Sequence, residues 1–127
     1  MLFRSTHVPP GDTLIHQGDV LYSIYFIREG QVEILKNNEL QAILGRNDVL
    51  GENPCNTITP GKSRCVVRGL TYCTLNKIHR DDLLNVLQLY PDFARSFIEQ
   101  FRVTFDLRQV NVRFELNSSR LFFFRSV

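Results

Sequence analysis

At 127 residues the chain is long enough for one compact domain and short for two. Apolar residues make up 43% and charged residues 22%, which excludes a wholly disordered polymer. The net charge is only +2, with Lys and Arg scattered among Asp and Glu, too small to imply nucleic acid as a partner.

Glycines at 11, 18, 30, 45, 51, 61 and 69 punctuate short apolar runs over residues 5–79, the spacing of many short strands in a sandwich or barrel. Thr13–His16 is the first run. Leu21–Ile27 is rich in aromatic and β-branched residues, as strands prefer. In Gln31–Lys36, Val32 and Ile34 alternate with polar neighbours, which predicts one buried face. Asn37-Asn38 tolerates the positive φ of a tight hairpin, and Glu39–Leu44 returns as its partner strand. Cys65–Arg68 and Leu70–Ile78 predict two more strands.

The period then changes. Asp81 or Asp82 is expected to cap a short helix carrying Leu83, Leu84, Val86 and Leu87. Tyr90-Pro91 ends it, and Pro91 suits the first turn of a second helix. There Phe93, Phe97, Ile98 and Phe101 predict one apolar stripe facing the barrel. Thr104–Arg108 alternates again, with Phe105 and Leu107 on one face and Asp106 and Arg108 on the other.

The three cysteines, Cys55, Cys65 and Cys73, lack Cys-x-x-Cys spacing and read as reduced thiols, two of them on strands. No apolar run approaches the ~18 residues needed to span a bilayer, and Met1–Arg4 carries no signal-peptide stretch. The short lead before Pro9-Pro10 suggests a piece of a longer protein, with any membrane part elsewhere. His7, His16 and His79 form no His-x-His pattern, and no nucleophile or P-loop motif occurs. No enzyme, metal or cofactor is expected.

Ile43–Glu52, with Leu44-Gly45, Asp48 and Gly51-Glu52, resembles the lead into the phosphate-binding cassette of cyclic-nucleotide-binding domains. Pro10-Gly11-Asp12, Gln17-Gly18-Asp19 and Glu29-Gly30 fall where that family places its turns. Ala42–Gly45, Pro60–Ser63, Leu70–Leu75, Ile78–Leu84 and Thr104–Arg108 resemble the ether-à-go-go channel branch, most of all its erg subtype.

The resemblance implies an α+β, mainly β fold. It is a cyclic-nucleotide-binding-like β-roll, a double-stranded β-helix or jelly roll, followed by two C-terminal helices and a short terminal strand. The expected domain is 1–109, with the roll at 5–79, the helices at 80–104 and the terminal strand at 104–108. Residues 110–127, with the apolar cluster Leu121–Phe124, are expected to be a flexible tail.

It further implies a non-catalytic regulatory domain on the cytoplasmic face of the plasma membrane, in a tetrameric voltage-gated potassium channel. The implied partners are the other subunits and an N-terminal PAS-type domain. The terminal strand of such domains folds back as an intrinsic ligand, which here is Phe105, Asp106 and Leu107. Relatives usually carry Asn where Asp106 stands; that carboxylate is expected either to pair with a basic residue such as Arg64 or Arg68 or to remain solvated.

The matching pocket is degenerate: Gly51, Glu52, Asn53, Ser63, Arg64 and Cys65. Glu52 would meet a ribose hydroxyl in a binding member; here it is expected to satisfy local backbone donors. Ser63 stands where binding members carry the phosphate arginine. Arg64 lies one residue on, which on a strand points it to the opposite face. Pro54 also removes one backbone donor from the cassette. No free cyclic nucleotide is therefore expected to bind. The alternative is a working cAMP or cGMP sensor, which should have Arg at position 63.

Overall fold

A computed structural model of the chain describes residues 3–108. The strands are β1 (Arg4–Val8), β2 (Thr13–Ile15), β3 (Ser23–Glu29), β4 (Val32–Lys36), β5 (Glu39–Leu44), β6 (Val49–Gly51), β7 (Val66–Gly69), β8 (Cys73–His79) and β9 (Phe105–Asp106). The helices α1 (Arg80–Leu89) and α2 (Pro91–Gln100) lie between β8 and β9. One sheet runs β1-β8-β3-β6-β9 and the other β2-β7-β4-β5. Every pairing is antiparallel except that of β9 with β6.

The expected β-roll, helix pair and terminal strand are all present. The hairpin between β4 and β5 turns at Asn37 (φ 53°) and Asn38 (φ 63°), the left-handed pair a two-residue hairpin requires. Gly30 (φ 89°) is bare for a second reason: a Cβ there would collide with the Tyr72 carbonyl.

Two apolar clusters divide the packing. Inside the roll lie Ile15, Ile27, Val32, Ile34, Leu44, Leu50, Val67 and Leu75, with Phe105 and Leu107 among them. On the outer face of the larger sheet, Ile24, Val49 and Ile78 pack under Leu83 and Leu87 of α1. The strands β3, β6 and β8 are therefore buried on both faces.

Several local expectations are corrected. Leu21–Ile27 becomes β3, shifted to Ser23–Glu29. Residues 70–72 leave the ladder before β8, because the Leu70 and Thr71 N–H groups donate to the Gln31 carbonyl and the Gln31 N–H donates to Thr71 Oγ1. His79, not Asp81 or Asp82, caps α1: its Nδ1 accepts from the Asp81 N–H at 3.1 Å. The two aspartates fall in the first turn, where carboxylates suit the helix dipole. Cys73 lies on β8, but Cys65 precedes β7 by one residue; none of the three forms a disulfide among the described residues.

The apolar stripe of α2 is only half covered. Ala94, Phe97 and Phe101 pack against the outer cluster, whereas Phe93 and Ile98 stay 49% and 56% exposed. The expected tail, 110–127, lies outside the described residues.

The two helix environments predict different sensitivities. Ile24→Ala should lower unfolding free energy by ~2–5 kcal/mol, as for a fully buried side chain. Ile98→Ser should change it by less than ~0.5 kcal/mol. Urea titrations of the two variants beside the parent chain check both values.

Candidate functional site at the mouth of the roll

The site begins where β6 ends. Gly51 adopts φ 130°, and a Cβ there would come within 3.2 Å of the Ser23 carbonyl. Next comes a single 3-10 turn, Pro54–Asn56, with Pro54 in its first turn. Asn53 is its cap: its Oδ1 accepts from the Cys55 N–H at 2.9 Å. Pro54 therefore costs the turn no hydrogen bond.

Glu52 is 4% exposed, and its carboxylate is fully engaged. Oε2 accepts from the Gly61 N–H at 2.8 Å, as expected of a residue serving local backbone donors. Oε1 accepts from the Thr57 hydroxyl at 2.8 Å and from Arg108 Nη1 at 3.3 Å. Arg80, 3% exposed at the start of α1, stands 3.8 Å from the same oxygen. Its Nη2 donates to the Thr57 carbonyl at 3.0 Å. Arg108 also donates to the Thr59 carbonyl, and its stem lies over Gly61, where any side chain would collide with it.

Arg80 and Arg108 were not among the expected site residues. Arg80 hides in the helix-opening run His79-Arg80-Asp81-Asp82, and Arg108 lies two residues beyond β9, on the polar side of the sequence alternation. Neither position signals a shared carboxylate in the sequence.

Ser63 and Arg64 are buried and exposed in turn, but they lie just ahead of β7 and not on the expected strand. Ser63 is buried, and its Oγ donates to the Cys65 carbonyl at 2.8 Å. Arg64 is exposed and extends outward. Its backbone N–H donates to the Leu107 carbonyl at 3.0 Å.

Residues 104–107 thread between these walls. The Thr104 N–H donates to the Val49 carbonyl at 2.9 Å, and its Oγ1 accepts from the Val49 N–H at 2.9 Å. The Leu107 N–H donates to the Gly51 carbonyl at 3.0 Å. Phe105 lies beside Leu50 and Asp106 beside Gly51 in the parallel register. Phe105 is 7% exposed and Leu107 fully buried, both in the interior cluster.

Asp106 finds neither Arg64 nor Arg68. Its Oδ1 accepts from the Arg108 N–H at 2.9 Å, while Arg68 pairs with Glu33 on β4 at 2.8 Å. Partial desolvation against the roll raises the Asp106 pKa, opposed by the Arg108 N–H; the Glu52 carboxylate raises it further and the Arg108 charge lowers it. Among the described residues no group of three or more His, Cys, Asp or Glu could hold a metal ion, and no helix is long and apolar enough to cross a membrane.

Residues 5–90 match the family model for the cyclic nucleotide-binding domain. The chain belongs to that family, in its KCNH-channel branch. It is 54% identical over 113 residues to the voltage-gated inwardly rectifying potassium channel KCNH2 of Sus scrofa, a match covering 88% of this chain. It is 55% identical over 109 residues to the potassium voltage-gated channel unc-103 of Caenorhabditis elegans, covering 85% of this chain. The chain spans only 10% and 13% of those two relatives. A solution structure of the cyclic-nucleotide binding homology domain of a KCNH channel superposes with a TM-score of 0.76 at 38% identity, covering 86% of this chain and 82% of that one. The C-linker and homology domain of zELK channels, crystallized in the presence of cAMP, gives 0.75 at 38% identity, covering 84% and 56%.

Two predictions follow from the geometry around Glu52. Glu52→Gln leaves the buried Arg80 without its counter-charge and should cost ~3–5 kcal/mol of stability. Arg108→Gln removes a partly exposed partner and should cost less than ~1 kcal/mol. Equilibrium urea unfolding of both variants separates the two roles.

Asp106 supplies a pH-dependent test. A carboxyl that titrates higher in the folded state than in the unfolded one penalises the native state at neutral pH. That penalty lifts as pH falls through the raised pKa and is gone below the ordinary value of 3.8. Asp106→Asn should therefore stabilise the domain at pH 7, with the gain vanishing on acidification. Thermal melts of both proteins across that range check the sign.

Proposed function

We propose that this chain is a non-catalytic regulatory domain of a voltage-gated potassium channel, with its nucleotide site filled by Phe105, Asp106 and Leu107 of its own chain. One observation carries the reading: the Arg64 N–H, next to the position of the missing phosphate arginine, already donates to the Leu107 carbonyl. A nucleotide arriving there would meet an occupied donor.

The energetics favour the tethered segment. Burying Phe105 and Leu107 contributes on the order of 1.5–3 kcal/mol each. Their tether holds them at an effective concentration of ~mM. A nucleotide lacking its arginine contact loses roughly 1.5–3 kcal/mol, about 10- to 100-fold in affinity. Entry would also break the Thr104–Val49, Leu107–Gly51 and Arg64–Leu107 backbone bonds.

The mechanism is mechanical. The segment pairs with β6, the strand whose Val49 packs under the helices. Its seating therefore fixes the helix pair against the roll, and the chain leading to the pore carries that arrangement to the gate. In the assembled channel the domain lies at the cytoplasmic face of the membrane. It meets the other subunits of the tetramer and the N-terminal PAS-type domain, as the family resemblance implies. No free cyclic nucleotide regulates it.

Calorimetric titration of cAMP and cGMP into the chain tests the reading. No heat is expected from the parent chain, and weak binding from Phe105→Ala with Leu107→Ala. Low-micromolar binding by the parent chain would establish a nucleotide sensor instead.

A further inference from the structure

Outside the occupied mouth lies a recess of about 480 Å³. Lys36 at the end of β4, Lys62 and Arg64 on the approach to β7, and Arg108 after β9 all line it, together with Gln17 and Gly18, whose N–H donates to the Ser63 carbonyl at 2.8 Å. No described carboxylate lines it. In a chain of net charge only +2, this is a local concentration of cations. Among the described residues, Lys36, Lys62 and Arg64 make no ion pair and no side-chain hydrogen bond.

We propose that this recess binds a compact polyanion carrying two or more phosphate groups. The ligand class follows from the exposure of the cations. A single charge gains little from any one solvated lysine. Several charges held on one small scaffold engage all the cations together, and arginine adds bidentate phosphate contacts. A cyclic nucleotide, with one charge and an apolar base, uses neither feature. Ser63, which also borders the recess, has its hydroxyl committed to Cys65, so the recess does not reuse the family's phosphate contact.

Arg108 is the cation with another partner, and the geometry lets it serve both. If its guanidinium turns outward, Glu52 keeps the Gly61 N–H, the Thr57 hydroxyl and the Arg80 charge. No buried charge is stranded. The polyanion therefore competes with Glu52 for Arg108, one residue beyond the segment that fills the mouth. Binding itself does not depend on whether that segment excludes nucleotides.

The ligand chemistry is shared by soluble polyphosphates and by phosphorylated lipid headgroups, and two arms separate the sources. In the first, pyrophosphate is titrated into the isotopically labelled chain at ~0.02 M salt, where screening is weak. Saturable shifts are expected at the Gly18, Lys62 and Arg64 amides. Lys62→Gln with Arg64→Gln should weaken binding about tenfold or more, while Arg28→Gln, on the exposed end of β3, should leave it unchanged. In the second arm the chain is sedimented with phosphatidylcholine vesicles containing phosphatidylinositol bisphosphate, or phosphatidylserine at equal charge.

Sedimentation with the first vesicle alone, lost in the double variant, assigns the site to a headgroup. Pyrophosphate shifts without sedimentation assign it to a soluble polyphosphate. The proposal is overturned if neither probe binds, or if the double variant binds either one as the parent does.

Discussion

The arrangement of this domain depends on one buried carboxylate. Taking a charge out of water costs several kcal/mol unless partners replace the lost hydration. Glu52 is buried, and its replacements are four groups from three stretches of chain: the Thr57 hydroxyl and the Gly61 N–H of the cassette loop, Arg80 at the start of α1 and Arg108 beyond β9. The cassette turn, the first helix and the C-terminal segment are thus held to a common point. In binding members of the family the matching Glu has a ribose to meet. Here its oxygens are already engaged by the protein itself.

The same reassignment extends to the neighbouring groups. Ser63 turns inward and closes a local bond with Cys65 instead of reaching for an anion. The Arg64 N–H and the Gly51 carbonyl, which face the mouth, hold the Leu107 peptide from its two sides. A backbone carbonyl can substitute for an anionic oxygen as an acceptor without bringing a charge that needs neutralising. A serine at position 63 and a seated backbone segment beside it are therefore chemically compatible. The residual conflict is Asp106, whose carboxyl is pushed up by its surroundings, partly by Glu52 itself. An amide at that position would keep the bond to the Arg108 N–H without the repulsion.

Much of the architecture was legible because it rests on local chemistry. Positive-φ turns at Gly11, Gly18, Gly30 and Asn37-Asn38 are written in residue type, and so is the inward alternation of Phe105 and Leu107. The opposed directions of Ser63 and Arg64 match the sequence expectation, although both residues lie ahead of β7 and are not on a strand. What escaped the sequence depends on tertiary contacts. Gln31 recruits residues 70 and 71 from 39 or more positions away and so shortens β8. The His79 ring caps α1 because β8 delivers it in an extended conformation. Arg80 and Arg108 look like ordinary surface cations until the fold brings both to Glu52. The stripe of α2 is correct in period, yet period does not say how much of a stripe the roll is wide enough to cover.

The strand β6 joins occupancy of the mouth to the position of the helices. It is three residues long, and successive side chains on a strand face opposite ways. Leu50 faces the interior beside Phe105, while Val49 faces the cluster under α1. Thr104 hydrogen-bonds Val49 through both its N–H and its hydroxyl, so the chain leaving α2 is tied to the residue on which the helices rest. Packed interiors transmit displacement because they hold little free volume. Withdrawing Phe105 and Leu107 would empty one side of β6 and free the connection that positions α2 on the other. The C-terminal segment and the helices thus meet on the two faces of a single short strand.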